Sequence, residues 1–85
     1  MMITVLYFAG LREQVGVDRE QIDLPQGVSD IFSLQQWIAN RGDAWSDAFG
    51  QDRQLMSAVN QTMSKNDSSI ADGDEVAFFP PVTGG

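Results

Sequence analysis

Two apolar runs, one near each end of the chain, constrain the fold more than any other feature. Ile3-Thr4-Val5-Leu6-Tyr7-Phe8 is β-branched and aromatic almost without interruption, the pattern of a strand covered on both faces in the middle of a sheet. Glu75-Val76-Ala77-Phe78-Phe79 is a second strong strand, and Pro80-Pro81 ends it because neither proline has a backbone N–H to add to a ladder. A chain of 85 residues has room for one domain, and its 42% hydrophobic content supports one modest core without crosslinks.

The segments between these runs supply the remaining elements. Leu11 and Val15 stand four apart before Gly16, which suits one or two helical turns with a glycine cap. Arg19-Glu20-Gln21-Ile22-Asp23-Leu24 alternates polar and apolar and is closed by Pro25, as in a strand near a sheet edge with one wet face. The main helix follows over 31–40, with Ser29 offering an N-cap hydroxyl, Asp30 at the positive end of the dipole, and Ile31, Leu34 and Ile38 on one stripe. Asp43 caps a second short helix that sets Trp45 and Phe49 one turn apart. Trp37, Trp45 and Phe49 read as core packing or a satellite cluster. Leu55 to Asn60 is a strand, Gln61 to Ser64 its hairpin partner, and Asp72-Gly73-Asp74 a turn.

Strand, strand, helix, strand, strand is an α+β arrangement of two layers. If the last strand runs parallel beside the first, as two double-sided apolar strands prefer, the result is a β-grasp, or ubiquitin-like, fold: a mixed sheet on one main helix, with short extra helices. The body then spans 1–79, and residues 80–85 form a flexible, extended tail.

Charge and missing residue types exclude most chemistry. With 12 acidic and 5 basic side chains the net charge is −7, and Lys65 is the only lysine, which disfavours nucleic acid and an anionic membrane surface and favours a basic protein partner. With no cysteine and no histidine, thiolate nucleophiles, imidazole bases and the usual zinc sites cannot be written. Asp72, Asp74 and Glu75 lack the spacing of a calcium loop and read as a solvated turn, so no metal site is expected. The apolar start has no basic stretch before it and is too short to span a bilayer, so a cytoplasmic location is expected.

The end of the chain is the informative part. Pro80 and Pro81 drive it out of the sheet and hold it extended, so that Pro80, Pro81, Val82, Thr83, Gly84 and Gly85 reach about 20 Å, enough to thread a channel in another protein. Gly84 and Gly85 carry no side chains, so the terminal carboxylate can enter a slot too narrow for other residues. The block from Asp72 to Gly85, Val59-Asn60-Gln61, and the opening Ile3 to Ala9 with Leu11-Arg12-Glu13 resemble the sulfur-carrier family of small molybdopterin synthase subunits.

That resemblance implies a non-catalytic sulfur donor acted on by others. A zinc-containing adenylyltransferase, similar to ubiquitin-activating enzymes, uses ATP in trans to adenylate the Gly85 carboxylate. Sulfur from a persulfide donor then replaces AMP and leaves a thiocarboxylate. The tail enters the large subunit, in a heterotetramer of two small and two large subunits, and gives sulfur to cyclic pyranopterin monophosphate to build the dithiolene of molybdopterin. The chain itself binds no cofactor. The resemblance also places Phe8, Met63 and Phe79 on the face that meets partners, with Arg12 adding a rim ion pair; core burial is the alternative for Phe8, and plain exposure for Arg12. The same activation chemistry serves a sulfur carrier for thiazole synthesis and a ubiquitin-like modifier, and an inert interaction module is a further alternative.

Overall fold

The two apolar runs meet as parallel neighbours. The computed structural model describes residues 1–50 and 54–81. Its elements in chain order are β1 (Met2–Tyr7), α1 (Gly10–Val15), β2 (Arg19–Asp23), α2 (Ile31–Ala39), α3 (Asp43–Phe49), β3 (Met56–Val59), β4 (Thr62–Ser64) and β5 (Glu75–Phe79). The five strands form one mixed sheet in the order β2-β1-β5-β3-β4, with β1 and β5 parallel and every other pair antiparallel. This is the β-grasp fold. No helix among the described residues is long and apolar enough to cross a membrane.

One face of the sheet and the helices share the core. Ile3, Val5 and Tyr7 from β1, Ile22 from β2, and Val76 and Phe78 from β5 pack with Ile31, Leu34 and Ile38 of α2, Leu11 of α1 and Phe49 of α3. Phe49 stands edge-on to Phe78, with ring centroids 5.2 Å apart, and also to Tyr7, at 5.8 Å. Such contacts add to the burial of large apolar surfaces. Trp45 packs on Tyr7, and the Arg41 guanidinium lies between the Trp37 and Trp45 rings, 5.0 and 4.7 Å from their centroids. The aromatic residues of 37–49 are thus core and satellite packing, as expected.

A polar clasp ties this cluster to the sheet. The Tyr7 hydroxyl donates to Glu20 Oε1 at 2.7 Å, and Arg41 Nη1 reaches the same oxygen at 2.6 Å. Burial first, and then the hydrogen bond to the Glu20 carboxylate, hold the Tyr7 phenol protonated far above its ordinary range.

Local chemistry sets the boundaries. Asp30, rather than Ser29, is the N-cap of α2: its Oδ1 accepts from Ser33 N at 2.8 Å while Asp30 N donates to Ser33 Oγ at 3.2 Å. This reciprocal box needs a hydrogen-bonding side chain three residues after the cap, and Ser33 supplies it for residue 30. Asp43 does not cap α3 but begins it, with Gly42 in the N-cap position at φ 84°. Asn60 and Gln61 both have positive φ, 50° and 69°, the geometry of a tight two-residue hairpin turn joining β3 to β4.

The structure corrects one expectation with functional consequences. β1 is not covered on both faces: its burial alternates, and Leu6 is only half-buried while Phe8 just beyond it is exposed. The run is largely apolar because Leu6 and Phe8 on its second face belong to an open apolar surface, not because a second layer covers it.

Candidate functional site

Strand register defines that open face residue by residue. Leu6 pairs with Arg19 on β2 and with Ala77 on β5, Ala77 with Ala58 on β3, and Ala58 with Met63 on β4. Residues paired across a sheet share a face, so Arg19, Leu6, Ala77, Ala58 and Met63 form one row across all five strands. Phe79 pairs with Met56 in the next row, and Phe8, whose N–H donates to the Phe78 carbonyl at 3.2 Å, extends β1 beside them. On the other side of the first row lie Gln21, Thr4 and Glu75.

Exposure marks the apolar centre of this face. Met63 is 57% exposed, Phe8 44% and Met56 37%, and Phe79 is half-buried beside them. A contiguous exposed patch of aromatic and methionine side chains is the composition of a surface that meets partners, because thioethers adapt to different shapes. The structure therefore brings Phe8, Met63 and Phe79 together, and Phe8 is not core. Arg12 sits apart from the rows, exposed on α1, and forms no ion pair among the described residues. Reading the sequence alone misses Leu6, Met56, Ala58 and Ala77. Alternation within each strand marks them only once the register is known.

The tail leaves from the edge of this patch. β5 ends at Phe79, and the half-buried Pro80 and exposed Pro81 follow outside regular structure. Pro81 also rims a groove of about 870 Å³ between α2 and the start of β3, lined by Phe32, Gln36, Ala39, Leu55 and Met56 among others. Val82, Thr83, Gly84 and Gly85 lie outside the described residues.

The opposite end of the sheet is closed by a hydrogen-bonded turn. Asn60 N donates to the Glu75 carbonyl at 2.7 Å, Glu75 N donates to Asn60 Oδ1 at 3.0 Å, and Asn60 Nδ2 donates to Asp74 Oδ1 at 3.0 Å. Asp72 accepts from Met2 N at 2.7 Å and Asp74 Oδ2 from Ala71 N at 2.8 Å. The Asp72 carboxylate thus ties the turn to the start of β1, and that of Asp74 holds the N–H of Ala71 just before it.

Comparison with known proteins is consistent over the whole chain. Residues 5–85 match the ThiS family. The chain is 48% identical over 86 residues to the molybdopterin synthase sulfur carrier subunit of Escherichia coli, covering 99% of this chain and 100% of that one. The structure matches SAMP1, a small archaeal modifier protein from Haloferax volcanii, with TM-score 0.76, 27% identity and full coverage of both chains. It also matches a chain from a complex of subunits 1 and 2 of the molybdopterin-converting factor of Helicobacter pylori, with TM-score 0.64, 21% identity and full coverage of both. The last likeness is one of fold.

Proposed function

This chain belongs to the ThiS family, and we propose that it is the sulfur carrier subunit of a molybdopterin synthase, docking through the open face of its sheet and delivering sulfur from the Gly85 terminus. The observation that carries the reading is the junction at Phe79: an apolar, partner-ready face ends where two prolines turn the chain out of the sheet toward Gly84-Gly85. Similarity to the carrier subunit of E. coli supports the same function.

The chemistry assigned to Gly85 is acyl activation. A carboxylate is a poor acyl donor because its leaving group would be oxide, so an adenylyltransferase converts it with ATP into an acyl adenylate and pyrophosphate. The terminal sulfur of a persulfide on the donor then attacks the carbonyl and AMP departs, leaving an acyl disulfide; a thiol cleaves its S–S bond, ending as a disulfide with the donor's sulfur, and the terminus is freed as a thiocarboxylate. The thiocarboxylate is the sulfur nucleophile that the large subunit directs at cyclic pyranopterin monophosphate, with two deliveries per dithiolene. The carrier contributes position, through Pro80, Pro81, Val82, Thr83 and Gly84, while oxyanion stabilisation, zinc and nucleotide binding belong to its partners. No cysteine is required at any step on this chain, and it has none.

The likeness to SAMP1 favours a second reading, a modifier joined through Gly85 to lysines of other proteins. Intact-mass spectrometry of the chain after incubation with the adenylyltransferase, ATP and a sulfur source tests the carrier reading, and the appearance of lysine conjugates of the chain in the same reaction marks the modifier reading. Replacement of oxygen by sulfur adds about 16 Da, and deletion of Gly85 abolishes the gain while leaving the circular dichroism spectrum unchanged. An unchanged mass, with the partner active on a control carrier, removes the carrier reading.

A further inference from the structure

Docking through an apolar face leaves one geometric requirement unmet. Burial of Leu6, Ala77, Phe79 and two methionines holds a partner but is non-directional, so it says little about rotation about the sheet normal. Rotation decides where the tail points. Six extended residues from Pro80 span about 20 Å, so turning the body by roughly 30° moves the tip by roughly 10 Å.

The rim of the face carries the marks that could set this angle. Arg19 ends the five-strand row at the β2 edge, about 19 Å from Met63 at ordinary strand spacing. Arg19 is exposed and has no ion pair among the described residues. Its neighbour Glu20 points to the core side, where Tyr7 and Arg41 occupy its carboxylate. On its own face Arg19 has Leu6 opposite and Gln21 two residues along, neither of them acidic. The nearest carboxylate in the rows of that face is Glu75, two strands in and two residues along, at about 12 Å. A chain with 12 acidic and 5 basic side chains thus leaves an arginine uncompensated at one edge of its docking face and an acid at another. Opposite charges separated across a flat patch define its rotation as apolar contacts cannot.

Resting on the docking proposed above, we propose that Arg19 is the residue that orients the carrier on the large subunit, meeting a carboxylate of that partner at the β2 edge and so fixing the rotation that aims the tail. The planar guanidinium suits a two-point contact with a carboxylate, which resists rotation where a single ammonium does not.

The test uses the full-length chain, loaded with thiocarboxylate, and the large subunit. Association kinetics and single-turnover sulfur transfer at saturating large subunit are measured for the natural chain, Arg19→Ala, Arg19→Glu, Arg19→Lys and Phe79→Ala. For Arg19→Glu the expected result is association about tenfold slower at low salt, a difference that shrinks toward 1 M salt as the screening length falls to about 3 Å. Transfer at saturation is also slower, Arg19→Lys recovers association but only part of the transfer rate, and the urea midpoint is unchanged. Equal low-salt association for Arg19→Glu and the natural chain, alongside weakened binding by Phe79→Ala, overturns the inference and leaves the docking face standing. Slower association with undiminished transfer at saturation overturns the orienting role. If the natural chain does not bind the large subunit, the docking reading falls and this inference with it.

Discussion

Replacing Phe8 by alanine tests the open face with the least disturbance to the fold. Phe8 is 44% exposed, so of a side chain worth roughly 200 Å² about 90 Å² faces solvent and is available to a partner. At about 25 cal/mol per Å² this corresponds to about 2 kcal/mol of docking free energy. Alanine retains a small part, and each 1.4 kcal/mol is a factor of ten, so the dissociation constant for the large subunit rises roughly 10- to 30-fold. The cost to folding is smaller, about 1 kcal/mol, because the ring lies outside the buried cluster. Isothermal titration calorimetry with the large subunit measures the affinity, and the heat-capacity change of binding becomes less negative as apolar burial is lost. Urea unfolding of the free carrier supplies the stability control. A dissociation constant within twofold of the natural chain, in a variant that remains folded, would refute the assignment of Phe8 to the interface.

Three further outcomes follow from the core and its caps. The protein has a single tyrosine, so its near-ultraviolet titration reports Tyr7 alone; the phenol is raised above the unfolded value near 10, its contribution is complete below that pH and is lost only as pH climbs beyond it, and tyrosinate absorption should appear together with unfolding. A reversible titration near pH 10 in the folded chain would contradict the Glu20 clasp. Asp30→Ala removes the α2 cap and costs about 1 kcal/mol by urea unfolding at neutral pH. The Ser33 hydroxyl, followed by the Ser33 N–H, lowers the Asp30 carboxyl, so this contribution is present above the unfolded carboxyl range and is lost as pH falls through the lowered folded value; the gap between natural and variant chains should close in acid. Phe49→Ala, at a ring only 1% exposed against Tyr7, Trp45 and Phe78, should cost 3–5 kcal/mol, out of a total of about 4–13 for a chain this size, and a loss under about 1 would show that the aromatic cluster is not the centre of the core.

What the sequence made legible depended on whether one physical cause stood behind each pattern. The stripe of Ile31, Leu34 and Ile38, the alternation of β2 and the prolines after Phe79 each admit one reading, and each appears as expected. The N-cap of α2 did not, since Ser29 and Asp30 are both competent; the decision came from Ser33, whose backbone N–H donates to the Asp30 carboxylate while its Oγ accepts from the N–H groups of both Ser29 and Asp30. The start of α3 turned on Gly42, whose positive φ places the helix entry one residue before the acidic side chain read as its cap.

The apolar run of β1 is the instructive failure, because continuous hydrophobicity has two causes that look alike in sequence. A strand buried between two layers and a strand with one face buried in its own core and the other awaiting a partner both read as unbroken runs. The choice between them is made by the rest of the chain. One main helix and two short ones suffice for a single face of a five-stranded sheet, so the second face is left open. Phe8, Met63 and Phe79 were visible beforehand only through resemblance, and Leu6, Ala58 and Ala77 not at all, since alanine and leucine mark no face until the register places them opposite one another. The same register puts Arg19 at the end of their row, where nothing in its sequence neighbourhood, flanked by Asp18 and Glu20, distinguishes it from an ordinary solvated charge. The chemistry proposed for the terminus rests on the sequence for the opposite reason: a carboxylate on two residues without side chains would work through covalent activation rather than through a shape that the fold must build.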